Sequence, residues 1–212
     1  MSGGSKFQSM QEELLHAHAV GSLGGCRIFQ PAKFSMNREP ADLAYSYGDN
    51  AILFYCTQGN KSRNQQDNHN LNQLRGWMRR WTGGVNLNGT IGDEKVEIEY
   101  GINLNIYAIS ICDANDNREI LCHPSDYKNL KSYSFDFELL KSIFSKLPNA
   151  NDIIFILKMI DQGLRDKDQL IDVIEHAWVT GFDTGVATIS KGDVVLSEFG
   201  DQFCNEMTKS LK

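Results

Sequence analysis

The densest run of residues able to meet a polyanion lies between positions 61 and 81. Lys61 and Arg63 fall in a polar stretch, and His69, Arg75, Arg79 and Arg80 follow on a segment that also carries Trp77 and Trp81. Cations neutralise phosphates and aromatic rings offer stacking surface, so this mixture suits a nucleic-acid backbone. The structural alternative puts Trp81 in the core and pairs the arginines with the abundant acids of the chain. Soft-metal chemistry has less behind it: His16, His18 and Cys26, and the adjacent Cys122 and His123, lack the paired, closely spaced ligand clusters of a zinc site. No GxGxxG follows a strand pattern, no GK[ST] occurs, and no nucleophile elbow organises the serines, histidines and aspartates.

Periodicity indicates the elements that must position these residues. Asn68 to Trp81 reads as a helix, with Leu71, Leu74, Met78 and Trp81 on one face and Arg75 and Arg79 on another. Gln58 to Asp67 has no strong apolar residue and is predicted to be an exposed loop. Ahead of it, Ala41 to Tyr47 and Ala51 to Thr57 are β-prone runs around Gly48-Asp49-Asn50, as in a hairpin. Cys26 to Phe29 is a short strand, and Lys6 to Val20 is a helix whose Phe7, Met10, Leu14 and Ala17 share a face.

Further on, Glu94 to Ile102 alternates like a strand with one wet face, and Ile106 to Cys112 with Glu119 to Cys122 suggests a second hairpin. From Phe135 the pattern becomes helical: Phe137 to Leu147, Ile153 to Gln162 and Asp168 to Val179, with Asn151 and Asp166 placed as N-caps. A short hairpin across Lys191-Gly192-Asp193 and a last helix capped by Ser197 complete the chain. The expected organisation is a leader over 1–5, an α/β core over 6–125 and a mainly helical part with a short hairpin over 126–212, divided near Ser125 to Ser134.

Composition bounds the function classes. The 212 residues, 41% hydrophobic and 23% charged, are enough for a substantial core. A formal net charge of -6 argues against a protein that coats nucleic acid with its whole surface, while leaving room for a local basic patch. Five cysteines, Cys26, Cys56, Cys112, Cys122 and Cys204, show no CxxC pair and read as reduced. Apolar stretches such as Asp152 to Ile160 fall short of the roughly 20 residues of a membrane span, so a cytoplasmic protein with no membrane partner is expected.

The order helix, strand, hairpin, polar loop, helix over about Phe7 to Trp81, with Glu39-Pro40-Ala41-Asp42-Leu43 opening the hairpin, resembles the PD-(D/E)XK nuclease and restriction-endonuclease superfamily. The resemblance implies a restriction-endonuclease-like mixed sheet flanked by helices, in which a helix carboxylate, a strand aspartate and a (D/E)xK triplet converge on one or two divalent metals. Oxygen ligands hold magnesium, the metal activates water, and the lysine stabilises charge developing at phosphorus. Glu13 or Glu12 matches the helix carboxylate and Asp42 the strand aspartate, the two metal ligands if the protein is active. The triplet falls on Tyr55-Cys56-Thr57, with neither acid nor cation.

Replacement groups could come from Lys61, Arg63, Gln73 or Arg75. Without the resemblance, Glu12 and Glu13 are solvated helix surface and Asp42 fixes the start of a strand. The resemblance thus implies a nuclease-fold protein with an impaired active site, a nucleic-acid or protein binding module in a bacterial or mobile-element defence or DNA-processing assembly. Nucleic acid would meet the basic residues Lys61, Arg63, Arg75, Arg79 and Arg80. The alternatives are an active magnesium-dependent nuclease with relocated residues, and a purely protein-binding subunit whose C-terminal helices meet a protein partner or a second copy.

Overall fold

A computed structural model of the chain describes residues 28–35, 38–57, 62–112, 120–146, 150–180, 187–190 and 193–196. The expected first helix with Glu12 and Glu13, the loop residue Lys61 and the last helix lie outside them.

Three short strands open the described chain: β1 (Ile28–Phe29), β2 (Leu43–Tyr47) and β3 (Asn50–Thr57), antiparallel in sequence order. The β2–β3 connection is a two-residue loop, and Gly48, at φ 55, supplies the positive φ that such loops require. Helix α1 (Arg63–Trp81) and a separate hairpin of β4 (Leu87–Ile91) and β5 (Glu94–Ile98) then lead to β6 (Asn105–Cys112), which lies parallel to β3. The sheet is completed by β7 (Leu121–His123) and β8 (Leu130–Asp136), giving the order β1-β2-β3-β6-β8-β7. Strands β3, β6 and β8 run parallel, and β7 is antiparallel to β8.

The expected second hairpin does not form. β6 and β7 are separated by β8, which falls in the Ser125 to Ser134 region where the sequence changes character. Ser132 and Ser134 dilute the apolar signal of β8, yet both are buried, because a central strand is covered on both faces. The strand expected over Glu94 to Ile102 ends at Ile98 and pairs with β4, whose Asn-Gly-Thr stretch carries little strand signal. Gly89 lets that hairpin lie on β1: a Cβ there would meet the Phe29 ring at 2.2 Å.

Beyond β8 come α2 (Phe137–Lys146), α3 (Ala150–Asp161) and α4 (Lys167–Thr180), then an antiparallel hairpin of β9 (Ala187–Ser190) and β10 (Asp193–Leu196). Asp166 caps α4 as expected, accepting from the Gln169 N–H at 2.9 Å. Asp136 does the same for α2 through the Leu139 N–H at 2.7 Å. Asn151 lies inside α3 rather than ahead of it.

Side chains alternate across the sheet. Ile52, Phe54, Tyr107, Ile109, Ile111, Tyr133 and Phe135 pack on α2, α3 and α4, while Ala51, Leu53, Tyr55, Ile106 and Ala108 meet α1. The architecture is mixed α/β, and no helix among the described residues is long and apolar enough to cross a membrane.

Candidate nucleic-acid interface and the triplet strand

The β2–β3 register brings Asp42 beside the triplet strand: its N–H donates to the Phe54 carbonyl at 3.0 Å, and its Oδ2 accepts from the Cys56 N–H at 2.6 Å. Tyr55 is 1% exposed and its hydroxyl donates to the Pro40 carbonyl at 2.8 Å. Burial, and secondarily the Asp42 charge, hold this phenol well above its usual ionisation range. Thr57 Oγ1 donates to Asn70 Oδ1 at 2.5 Å. Of the two carboxylates expected to hold magnesium, Asp42 is the one among the described residues, and it stands beside a buried phenol and a hydroxyl that donates to an amide. More widely, no group of three or more His, Cys, Asp and Glu among the described residues could hold a metal ion.

Thr57 is one end of a buried network that the sequence pattern did not reveal. Asn70 Nδ2 donates to the Tyr55 carbonyl at 3.2 Å and to Ser110 Oγ at 2.9 Å. Asp67 Oδ1 accepts from Ser110 Oγ at 2.6 Å, Ser134 Oγ at 2.5 Å and Cys112 Sγ at 3.2 Å. Arg63 donates from Nη2 to the Ser134 carbonyl at 3.0 Å, and its Nε lies 4.0 Å from Asp67 Oδ2.

These side chains join α1 to the carboxyl ends of β3, β6 and β8. The expected exposed loop over Gln58 to Asp67 is thus corrected: α1 begins at Arg63, behind a Ser62 N–H that donates to Gln65 Oε1, and Arg63, Gln66 and Asp67 are buried. A polar segment packs because its partners are polar too. The signal was present as spacing. Arg63, Asp67, Asn70, Leu74, Trp77 and Trp81 follow one another at four- and three-residue steps, a single inward stripe that is polar in its first half.

The network fixes the chemistry around it. Burial, and next the neighbouring Asp67, push the Cys112 thiol up to about 12, which keeps it neutral. His123 on β7 is half-buried with no hydrogen-bond partner at Nε2, and its pKa is lowered by burial. The pairing of Arg63 with Asp67 does bring an acid and a cation to the neighbourhood of the triplet. They lie inside the protein, however, at 5% and 4% exposure.

Outside the network, α1 and the loop before β2 enclose a groove of about 600 Å³ lined by Phe34, Arg38, Glu39, His69, Gln73, Arg79 and Arg80. Among the described residues Glu39 is the one acid of its lining, and it pairs with Lys33 at 3.1 Å. Arg80 is held over the Phe34 ring at 4.8 Å, and Phe34 rests on Trp77 with centroids 5.4 Å apart. None of the ion pairs among the described residues involves Arg75, Arg79 or Arg80, and all three are exposed.

The residues expected to meet nucleic acid therefore divide. Arg79 and Arg80 line the groove, Arg75 is exposed elsewhere on α1, Arg63 is internal, and Lys61 with Glu13 lies outside the described residues. His69, part of the same cationic run in the sequence, also lines the groove, and Arg38 joins it without having been marked by the sequence pattern. Fold and site define a mixed α/β protein with a buried polar lock and an adjoining cationic groove. Comparison with protein-family models, with curated proteins and with solved structures gives no match to this chain.

Proposed function

We propose that the chain is a nuclease-core-like protein whose metal-dependent chemistry has been lost and whose remaining task is to bind nucleic acid through the groove beside α1. The observation that carries this reading is Tyr55. A buried phenol bonded to Pro40 occupies the position at which the resemblance demands an acid, next to an Asp42 that is itself engaged with the strand. Within the described residues, the succession of β1, the β2–β3 hairpin and α1 supports the strand, hairpin and helix part of that resemblance. The groove supplies the binding half: among the described residues, Arg38, His69, Arg79 and Arg80 face one acid, Glu39, which Lys33 counters. Arg63 takes no part, being committed to Ser134 and Asp67. The setting, a defence or DNA-processing assembly, is carried by the resemblance alone.

A competing reading draws on the internal pair of Asp67 and Arg63 as relocated catalytic groups of an active magnesium-dependent nuclease. One assay separates the two. The purified chain, incubated with DNA and RNA in magnesium or manganese, is expected to leave them intact while retarding them at low salt. Arg38→Glu and Arg79→Glu are expected to weaken that retardation, and Asp42→Ala to leave it unchanged. Metal-dependent cleavage that disappears in Asp42→Ala or Asp67→Asn would establish the nuclease instead. Absence of any retained nucleic acid would favour the protein-binding subunit.

A further inference from the structure

Opposite its buried stripe, α1 presents Asn68, Asn72, Arg75 and Arg79 at spacings of four, three and four, all exposed and on one line of the helix. We infer that this line reads base edges in the major groove of duplex DNA, an inference that rests on the nucleic-acid reading above and gives it a substrate class.

The residue types carry the argument first. Arginine matches the paired acceptors of guanine and asparagine matches the donor and acceptor of adenine, which makes these the side chains best suited to reading bases in that groove. The helix surface also lacks acids: Asp67 is the single acid of α1, and it is buried. In a chain of net charge -6, an exposed helical face with arginines and no carboxylate is a departure that favours a polyanion.

Geometry agrees. From Asn68 to Arg79 the helix rises about 16 Å, roughly five base-pair steps of about 3.4 Å, and the major groove is wide enough for one helix. Arg75 Nη1 donates to Asn72 Oδ1 at 3.2 Å, so two neighbouring readers are held in register. Asn72 and Arg79 form the edge that the stripe shares with the groove, and beyond that edge Arg80 of α1 and Arg38 of the loop before β2 can take phosphates while the stripe faces the bases. A-form RNA has a deep and narrow major groove that does not admit such a helix.

Selection by the full chain from a randomised duplex DNA pool tests this. A short enriched motif is expected, with Asn72→Ala and Arg75→Ala each weakening binding to that motif about tenfold or more and relaxing the preference at one position. Arg38→Glu is expected to weaken binding to all duplexes evenly. Because Asn72 and Arg75 are exposed, their variants should melt with the parent, so a loss of preference is not a loss of fold. Duplex binding without sequence preference, or a preference for single strands or duplex RNA, would overturn the inference while leaving the groove as a binding site. Failure to bind any nucleic acid at low salt would remove the proposed function, and this inference with it.

Discussion

The inward stripe of α1 has two halves that lie on the same face of one sheet. Toward the C-terminus, Leu74, Trp77, Met78 and Trp81 pack on Phe29, Leu53, Tyr55 and Leu87. Toward the N-terminus, Arg63, Asp67 and Asn70 replace that packing with hydrogen bonds to three parallel strands. The apolar half supplies stability with little directional preference, since burial scales with area. The polar half sets position: Asp67 Oδ1 is satisfied only if β6 and β8 present Ser110, Cys112 and Ser134 together, and a shift of α1 by one turn would strand a buried carboxylate. Such a lock holds the outward face of the same helix at a fixed angle to the sheet.

The largest expected effect belongs to the apolar half. Trp77→Ala should cost about 4 kcal/mol in denaturant unfolding, from lost area and the cavity left behind. Asp67→Ala should cost about 3 kcal/mol by the same measurement, with Asp67→Asn recovering part of it; a cost below about 1 kcal/mol would erase the distinction between the halves. The two tryptophans sharpen the contrast within the apolar half. Trp81 Nε1 donates to the Ile98 carbonyl at 3.1 Å whereas the buried Trp77 Nε1 has no partner, so Trp81→Phe should cost about 1 kcal/mol more than Trp77→Phe.

Smaller still is the response of Cys112. Its thiol should resist alkylation in the native protein at pH 8 and react at the ordinary rate once unfolded, as followed by mass spectrometry. The smallest effect is the pH dependence from His123. Its lowered pKa means that the unfolded chain binds a proton more readily than the folded one. Its contribution to stability is therefore present above the ordinary value of about 6.5 and is lost as pH falls toward and through the lowered folded value. Melting curves from pH 7.5 to 5 should show that decline, and His123→Gln should flatten it.

Where polarity and position agree, the sequence was readable. The β2–β3 hairpin, the apolar half of α1, the three later helices and the Asp166 cap follow from local spacing, because each places apolar residues against a core or a carboxylate on orphan N–H groups. The identities of Tyr55, Cys56 and Thr57 were equally visible, since none of the three is an acid or an ammonium. Where polar residues pack inside, reading failed. Arg63 and Asp67 looked like loop and Ser132 and Ser134 diluted a central strand, because the partners that make their burial tolerable are more than forty residues away in sequence.

The residue types by themselves thus determined the mixed α/β character, the cationic composition of α1 and the absence of an acid and a cation from Tyr55, Cys56 and Thr57. Only the tertiary structure decided that β8 separates β6 from β7, that Arg63 turns inward, and that Arg38 and His69 join Arg79 and Arg80 around one groove. Local pattern encodes which face of an element seeks water, whereas the partners of a buried polar group are set by strand order, and strand order is fixed by contacts that no short window of sequence contains.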